Sequence, residues 1–347
     1  ALKDAGYADK ALPRERTALF LGYSPYMDRA TISWFQKGLA IDQTMDLIRG
    51  CFPHGSTGQF EEMRRNLLRE LPAFDSRNLS GFLRHALARR IAARFDIQGP
   101  SGIVDAGCAS TLLAMGQALD ELRAGRSDLV LCGGLQGRIS PQWLMIFNRL
   151  KLLSGGERPH PFGRDSDGTL FGEGGGMLVL KRLEDARRDG DRIYALVKDL
   201  GVSSDVHGRE LLNKSDESLA RAMTRALKQS GIQPGSIAML EAHGSGISTQ
   251  DRAELRAMFG CFGPRGPRGA VVALGSVKAL IGHCFAAAGA AGTIKAALSL
   301  YHRILPPAQE SDRPNPQLKL SETPFYLNAV ARPWVHNDAG QPRRAGG

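Results

Sequence analysis

Three short stretches of the chain set reactive side chains at the ends of apolar runs. In residues 101–112 (SGIVDAGCASTL), Cys108 follows Gly107 in a turn between an apolar run and a helical pattern. Cysteine is usually a small core residue, and a turn is a poor place for one whose sulfur is not used. At a helix N-terminus the unsatisfied amides and the helix dipole favour the thiolate, the nucleophilic form. Gly107 permits a sharp turn, much as small residues flank the serine of a nucleophile elbow. In residues 241–246 (EAHGSG), His243 stands directly after the run IAML and before two glycines that let a substrate approach. That position suits a general base or a hydrogen-bond donor, although taken alone it reads as structural. In residues 275–283 (GSVKALIGH), His283 closes a second strand-to-helix junction with Lys278 five residues earlier. One such junction is unremarkable, but three bearing Cys, His and His describe a site at the carboxyl ends of strands, where α/β sheets put their chemistry.

The elements that must position these residues are legible as short buried strands. Near-continuous apolar runs at 17–22, 102–105, 128–132, 176–180, 193–199, 237–241 and 270–274 are expected of strands covered on both faces. Between them, Leu112, Met115, Leu119 and Leu122 fall on one helical face that stops at Ala124-Gly125. A second helix, about 285–303, opens with Ala and Gly at nearly every position, which predicts close backbone packing inside a layered protein. Strand and helix alternation over this length implies an α/β layered fold, with two related halves meeting near residue 170. Residues 172–176 (GEGGG) precede a strand rather than opening a helix, so a dinucleotide loop is not expected there. Glu173, if buried beside those glycines, needs a cation, and Lys278 is the candidate.

Composition narrows the function classes. The net charge is +10, from 34 Arg and 11 Lys against 35 Asp and Glu, but the basic residues are scattered. Clusters such as Arg187, Arg188 and Arg192 carry no interleaved aromatics that stack on bases, so nucleic-acid binding is not expected. A basic surface still suits an acidic protein partner. The longest apolar run, 284–294, falls short of the roughly 18 residues of a membrane span, and no signal peptide is read. Five cysteines, without a CxxC pair or a Cys/His cluster at zinc spacing, point to a reducing cytoplasm and no structural metal.

With these residues in hand, the chain resembles the β-ketoacyl synthase (ketosynthase) domains of fatty acid and polyketide synthases. VDAGCAST resembles the family's V-D-T-A-C-S-S-S, EAHGSG its E-A-H-G-T-G, and SVKALIGHCFAAAGAAGTIK its S-V-K-S-N-I-G-H-x-x-A-A-A-G-x-A-G-x-I-K. FGEGGGMLVLKRLEDARRDGDRIYALV is similar to the family's G-E-G-A-G stretch and following strand. TPFYLNAVARPW followed by PRRAG is similar to the iterative type I enzymes, particularly the polyunsaturated fatty acid synthase branch.

The resemblance implies a thiolase-like fold of two similar α/β halves in α-β-α-β-α layers. Residues 1–170 would be the first half, its first strand missing, and 171–347 the second, without the final Gly-rich loop. It implies decarboxylative Claisen condensation as well. Cys108 matches the nucleophile that takes an acyl chain from the phosphopantetheine of an acyl carrier protein. His243 and His283 match the pair that polarise the malonyl thioester carbonyl and hold the enolate, while Lys278 and Glu173 match the supporting charged pair. No metal or redox cofactor is implied. Carrier, acyltransferase and other synthase domains are the implied partners, usually in a homodimer. Departures from the family pattern are Ala106-Gly107 for Thr-Ala, Ala109 for Ser, Leu280 for Asn and Ile247 for the second Thr of H-G-T-G-T. Ser245 and Ile247 thus lie where the pantetheine arm runs in the family. The changes at Ala106, Gly107 and Ile247 keep a second function open, a non-elongating scaffold or gatekeeping domain that binds carrier protein without condensing.

Overall fold

A computed structural model describes residues 1–24, 35–71, 83, 85–204, 215–267, 269, 271–308, 313–335 and 341–347 of the chain. Among the described residues there are ten strands: β1 (Thr17–Tyr23), β2 (Ser101–Val104), β3 (Leu129–Gln136), β4 (Gly174–Leu180), β5 (Met239–Glu241), β6 (Val272–Gly275), β7 (Ile304–Leu305), β8 (Phe325–Leu327), β9 (Arg332–Pro333) and β10 (Ala345–Gly346). The helices are α1 (Ile41–Cys51), α2 (Thr57–Glu70), α3 (His85–Phe95), α4 (Ser110–Arg123), α5 (Pro141–Arg149), α6 (Leu183–Arg188), α7 (Asp216–Ser230), α8 (Ser248–Phe262), α9 (Lys278–Ile281) and α10 (Ala288–His302).

Two four-stranded sheets organise the chain, in the orders β2-β1-β3-β4 and β10-β5-β6-β8. The first is parallel except for β4, which runs antiparallel to β3; the second is parallel throughout. Each strand of the first sheet uses both faces, which is why its sequence reads as an unbroken apolar run. Leu19, Leu21 and Leu131 pack on Ala88 and Ala92 of α3, while Ala18, Val130 and Cys132 pack on Ala114, Met115 and Ala118 of α4. On the second sheet Leu240, Val272 and Leu274 meet Leu255 and Met258 of α8. On its other face Met239 and Ala273 meet Leu300 of α10.

Helices α4 and α10 form the middle layer, and small residues let them approach. A Cβ added at Gly289 of α10 would stand 3.1 Å from Thr111 Cβ and 3.0 Å from Leu112 Cγ. The layers therefore run helix, sheet, helix pair, sheet, helix, with each central helix entered through a 3-10 turn, Gly107–Ala109 and Phe285–Ala287. Of the expected strands, 193–199 takes up no strand pairing, and Leu196 and Val197 of that run are exposed. Position 270 of the expected strand 270–274 lies outside the described residues. Among the described residues no helix is long and apolar enough to cross a membrane.

Candidate active site

β2 delivers the chain into the turn that carries Cys108. Gly107 takes a left-handed φ of +57°, a conformation that costs glycine nothing. Ser110 clasps the turn: its hydroxyl donates to the Gly107 carbonyl at 2.6 Å and accepts the Ala106 amide at 2.9 Å. The thiol is left half-buried at the head of α4, with Sγ 3.1 Å from His283 Nε2.

His283 reaches that sulfur from the other half. Its amide donates to the Leu170 carbonyl at 2.7 Å, and its carbonyl accepts the Gly172 amide at 3.1 Å, so the backbone is fixed on both sides. Only 4% of the residue is exposed. Phe285 then adopts a left-handed φ of +38°, a strained state for a bulky residue. That turn aims its amide at His283 Nδ1, 3.1 Å away. An Nδ1 that accepts a hydrogen bond carries no proton, so in the neutral ring the proton sits on Nε2, facing Cys108. The Phe285 ring stacks on the imidazole at 4.7 Å and 12°. Phe147, Phe171 and Trp143 pack around Phe285 in turn.

The His243 ring stands edge-on to His283, centroids 5.3 Å apart. Lys278 is buried (5% exposed) and donates through Nζ to the His243 carbonyl at 2.6 Å. Two carboxylates of α8, which sequence reasoning missed, shape the same loop. Glu254 accepts the His243 and Gly244 amides at 2.6 and 2.8 Å. Asp251 accepts the Ser245 and Phe162 amides, both at 2.9 Å. Burial pushes the Asp251 carboxyl up to about 6, the amide bonds pulling it back only in part. A signal existed: both carboxylates stand near the start of a helix, three residues apart and so on one face, just after a glycine-rich loop full of amides.

Structure and expectation part at Glu173. Glu173 is exposed, and its carboxylate accepts the Ile139 amide at 2.7 Å, so it needs no buried cation. Ser245 is fully buried, with its hydroxyl 3.3 Å from Asp251 and accepting the Ile247 amide. Ile247 is half-buried at the N-cap of α8, where its side chain offers no hydrogen bond. A buried ion pair of this half joins Glu241 to Lys295, at 2.5 Å, and Glu241 also accepts the Val277 amide at 2.5 Å, next to Lys278. Burial nevertheless holds the Glu241 carboxyl above the ordinary carboxylate range.

The β-ketoacyl synthase N-terminal domain profile matches residues 1–186, and the C-terminal domain profile matches residues 194–312. A spectinabilin polyketide synthase system protein, NorA′ of Streptomyces orinoci, is 37% identical over 256 residues, 74% of this chain and 7% of that protein. A polyunsaturated fatty acid synthase polypeptide of Thraustochytrium sp. is 36% identical over 272 residues, 77% of this chain and 10% of that protein. The chain thus spans a tenth or less of the length of these two relatives. The ketosynthase from module 6 of the bacillaene synthase of Bacillus subtilis superposes with a TM-score of 0.79 at 28% identity, covering 99% of this chain and 54% of that one. The chain belongs to the β-ketoacyl synthase family and is a ketosynthase domain of the type I polyketide synthase kind, with a thiolase-like fold.

Proposed function

We propose that this domain is a β-ketoacyl-acyl carrier protein synthase that lengthens an acyl chain by decarboxylative condensation. One observation carries the reading: Cys108 Sγ lies 3.1 Å from His283 Nε2, the nitrogen that bears the ring proton because Phe285 occupies Nδ1. An Nε2–H aimed at sulfur stabilises a thiolate, and once the sulfur is acylated the same N–H is free for another anion. In the first step the Cys108 thiolate attacks the thioester of an acyl-phosphopantetheine arm; the arm's thiolate leaves and takes up a proton. In the second, a malonyl thioester loses carbon dioxide, and the enolate oxygen is held by His283 and His243. The enolate carbon attacks the acyl-Cys108 carbonyl and expels the thiolate, so the chain gains two carbons and the enzyme is restored.

The steps balance without a metal or redox cofactor. Carrier protein domains are the natural donors, with an acyltransferase as neighbour and a second copy of the domain completing a homodimer. The test is transfer of acyl label from acyl-phosphopantetheine to the full-length protein. Label on Cys108 that vanishes in Cys108→Ala is expected; equal labelling of the variant overturns the nucleophile. The departures at Ala106, Gly107 and Ile247 favour the second reading, a carrier-binding gatekeeper, and carbon dioxide release from a malonyl carrier decides between the two.

A further inference from the structure

Strand β3 lies between β1 and β4 in the first sheet, and its alternate residues Val130, Cys132, Gly134 and Gln136 share one face. Val130 and Cys132 pack on Ala114, Met115 and Ala118 of α4. At Gly134 a Cβ would stand 2.0 Å from Thr111 Oγ1 and 2.5 Å from the Ala286 carbonyl oxygen. This face therefore climbs α4 towards its N-terminus, and Thr111 and Ala286 each follow a site residue, Cys108 and His283, by three positions. Gln136 comes about 7 Å beyond Gly134 along the strand, towards the turn that holds Cys108.

Gln136 is 8% exposed. Its Nε2 donates to the Gly137 carbonyl at 3.4 Å, while Oε1 finds no hydrogen-bond partner among the described residues. The Gly137 carbonyl fixes the sense of the amide, because turning it over would set two oxygens against each other. A buried acceptor without a donor is costly, and leucine or methionine would fill the same volume without that cost. The Oε1 of Gln142, at the start of α5, is buried in the same state, and the next residue, Trp143, stacks on Phe285 at 6.1 Å and 26°.

We propose that Gln136 is a specificity-determining residue whose buried amide oxygen accepts a hydrogen bond from a hydroxyl on the acyl chain, so that the site selects hydroxyacyl over fully reduced acyl groups. This rests on the acyl-Cys108 reading above. A site with a buried acceptor accepts a hydroxylated chain well and penalises the analogue that leaves the acceptor unpaired.

The test offers the full-length protein 3-hydroxybutyryl-pantetheine and butyryl-pantetheine and follows acylation of Cys108 by mass spectrometry. The native protein is expected to take the hydroxyacyl group faster. Gln136→Leu and Gln136→Met are each expected to lower the ratio of hydroxyacyl to butyryl rates at least tenfold, with the butyryl rate falling far less. An unchanged ratio overturns the proposal, as does loss of both rates together, which would give Gln136 a structural role. If native Cys108 takes neither group, the acyl-enzyme reading itself fails and the selectivity falls with it, an outcome distinct from labelling at an unchanged ratio.

Discussion

Two histidines act as paired donors only when their rings present N–H groups rather than lone pairs to one space. At His283 a single backbone amide decides this. At His243 the control lies in the backbone, which hangs from Lys278 on its carbonyl and from Glu254 on its amide. Replacing Lys278 by methionine keeps the buried stem but takes the charged donor from the His243 carbonyl. The Ser276 hydroxyl still reaches that carbonyl at 3.2 Å, so what is lost is the charge-assisted bond, about 1.5–3 kcal/mol; Lys278→Met is expected to lower the unfolding midpoint and, on the proposed condensation, to slow carbon dioxide release. Glu254→Gln is a sharper probe, because both carboxylate oxygens accept backbone amides. Glutamine must turn an NH2 on one of them, with a stability loss of about 1–3 kcal/mol. On the proposed condensation His283 serves Cys108, which it touches at 3.1 Å, so acyl transfer should persist in Glu254→Gln while decarboxylation falls. Loss of both in step would show that the two histidines do not divide the work in this way.

At the scale of elements, the site exists because α4 and α10 come close enough for Cys108 and His283 to touch, and glycines set that distance. A Cβ at Gly134 would collide with Thr111 and with the Ala286 backbone. Gly134→Ala is therefore expected to destabilise by about 1–3 kcal/mol and to part Cys108 from His283, read as slower alkylation of the thiol. Gly137→Ala, with nothing within 4 Å of the added carbon, should leave both unchanged; equal effects would refute the packing argument. Elements of this kind were the most legible part of the sequence. The strand-turn-helix junctions at Cys108 and His283 announce themselves because strands buried on both faces read as apolar runs and small residues must follow where helices pack closely. What stayed hidden depends on direction and pairing. Spacing does not say that Glu173 turns outward to the Ile139 amide or that Ser245 turns inward to Asp251. The two-residue strands β7, β9 and β10 carry no periodicity to read, and the apolar run 193–199 shows that strand-like composition does not supply a partner. Asp251 and Glu254 went unread, because the amides they hold belong to other elements.

Across the whole molecule these carboxyl groups set how stability depends on pH. Asp128 is held below the usual carboxylate range by its bond to Arg16 and then by Arg182, and Asp216 by Arg256. Such groups add stability above their unfolded values and lose it as acid protonates them, although their exposure to solvent keeps each contribution small. Asp251 works in the opposite sense. Its folded value of about 6 lies above its ordinary 3.8, so the folded state binds the proton more tightly than the unfolded chain. The stabilisation is complete below about pH 4 and is lost as pH rises through about 6. A shift of two units corresponds to roughly 3 kcal/mol. Asparagine at this position does not titrate, although its amide must face one of the two backbone N–H groups and so lowers stability at every pH. The stability gap between the native protein and Asp251→Asn is thus expected to shrink by roughly 3 kcal/mol between pH 3.5 and 7, measured by urea unfolding at a series of pH values. Glu241, also raised by burial, titrates in both proteins and cancels from the difference. A gap that stays constant, or widens with pH, would show that the Asp251 carboxyl is ionised throughout and that its bonds to the Ser245 and Phe162 amides outweigh its burial.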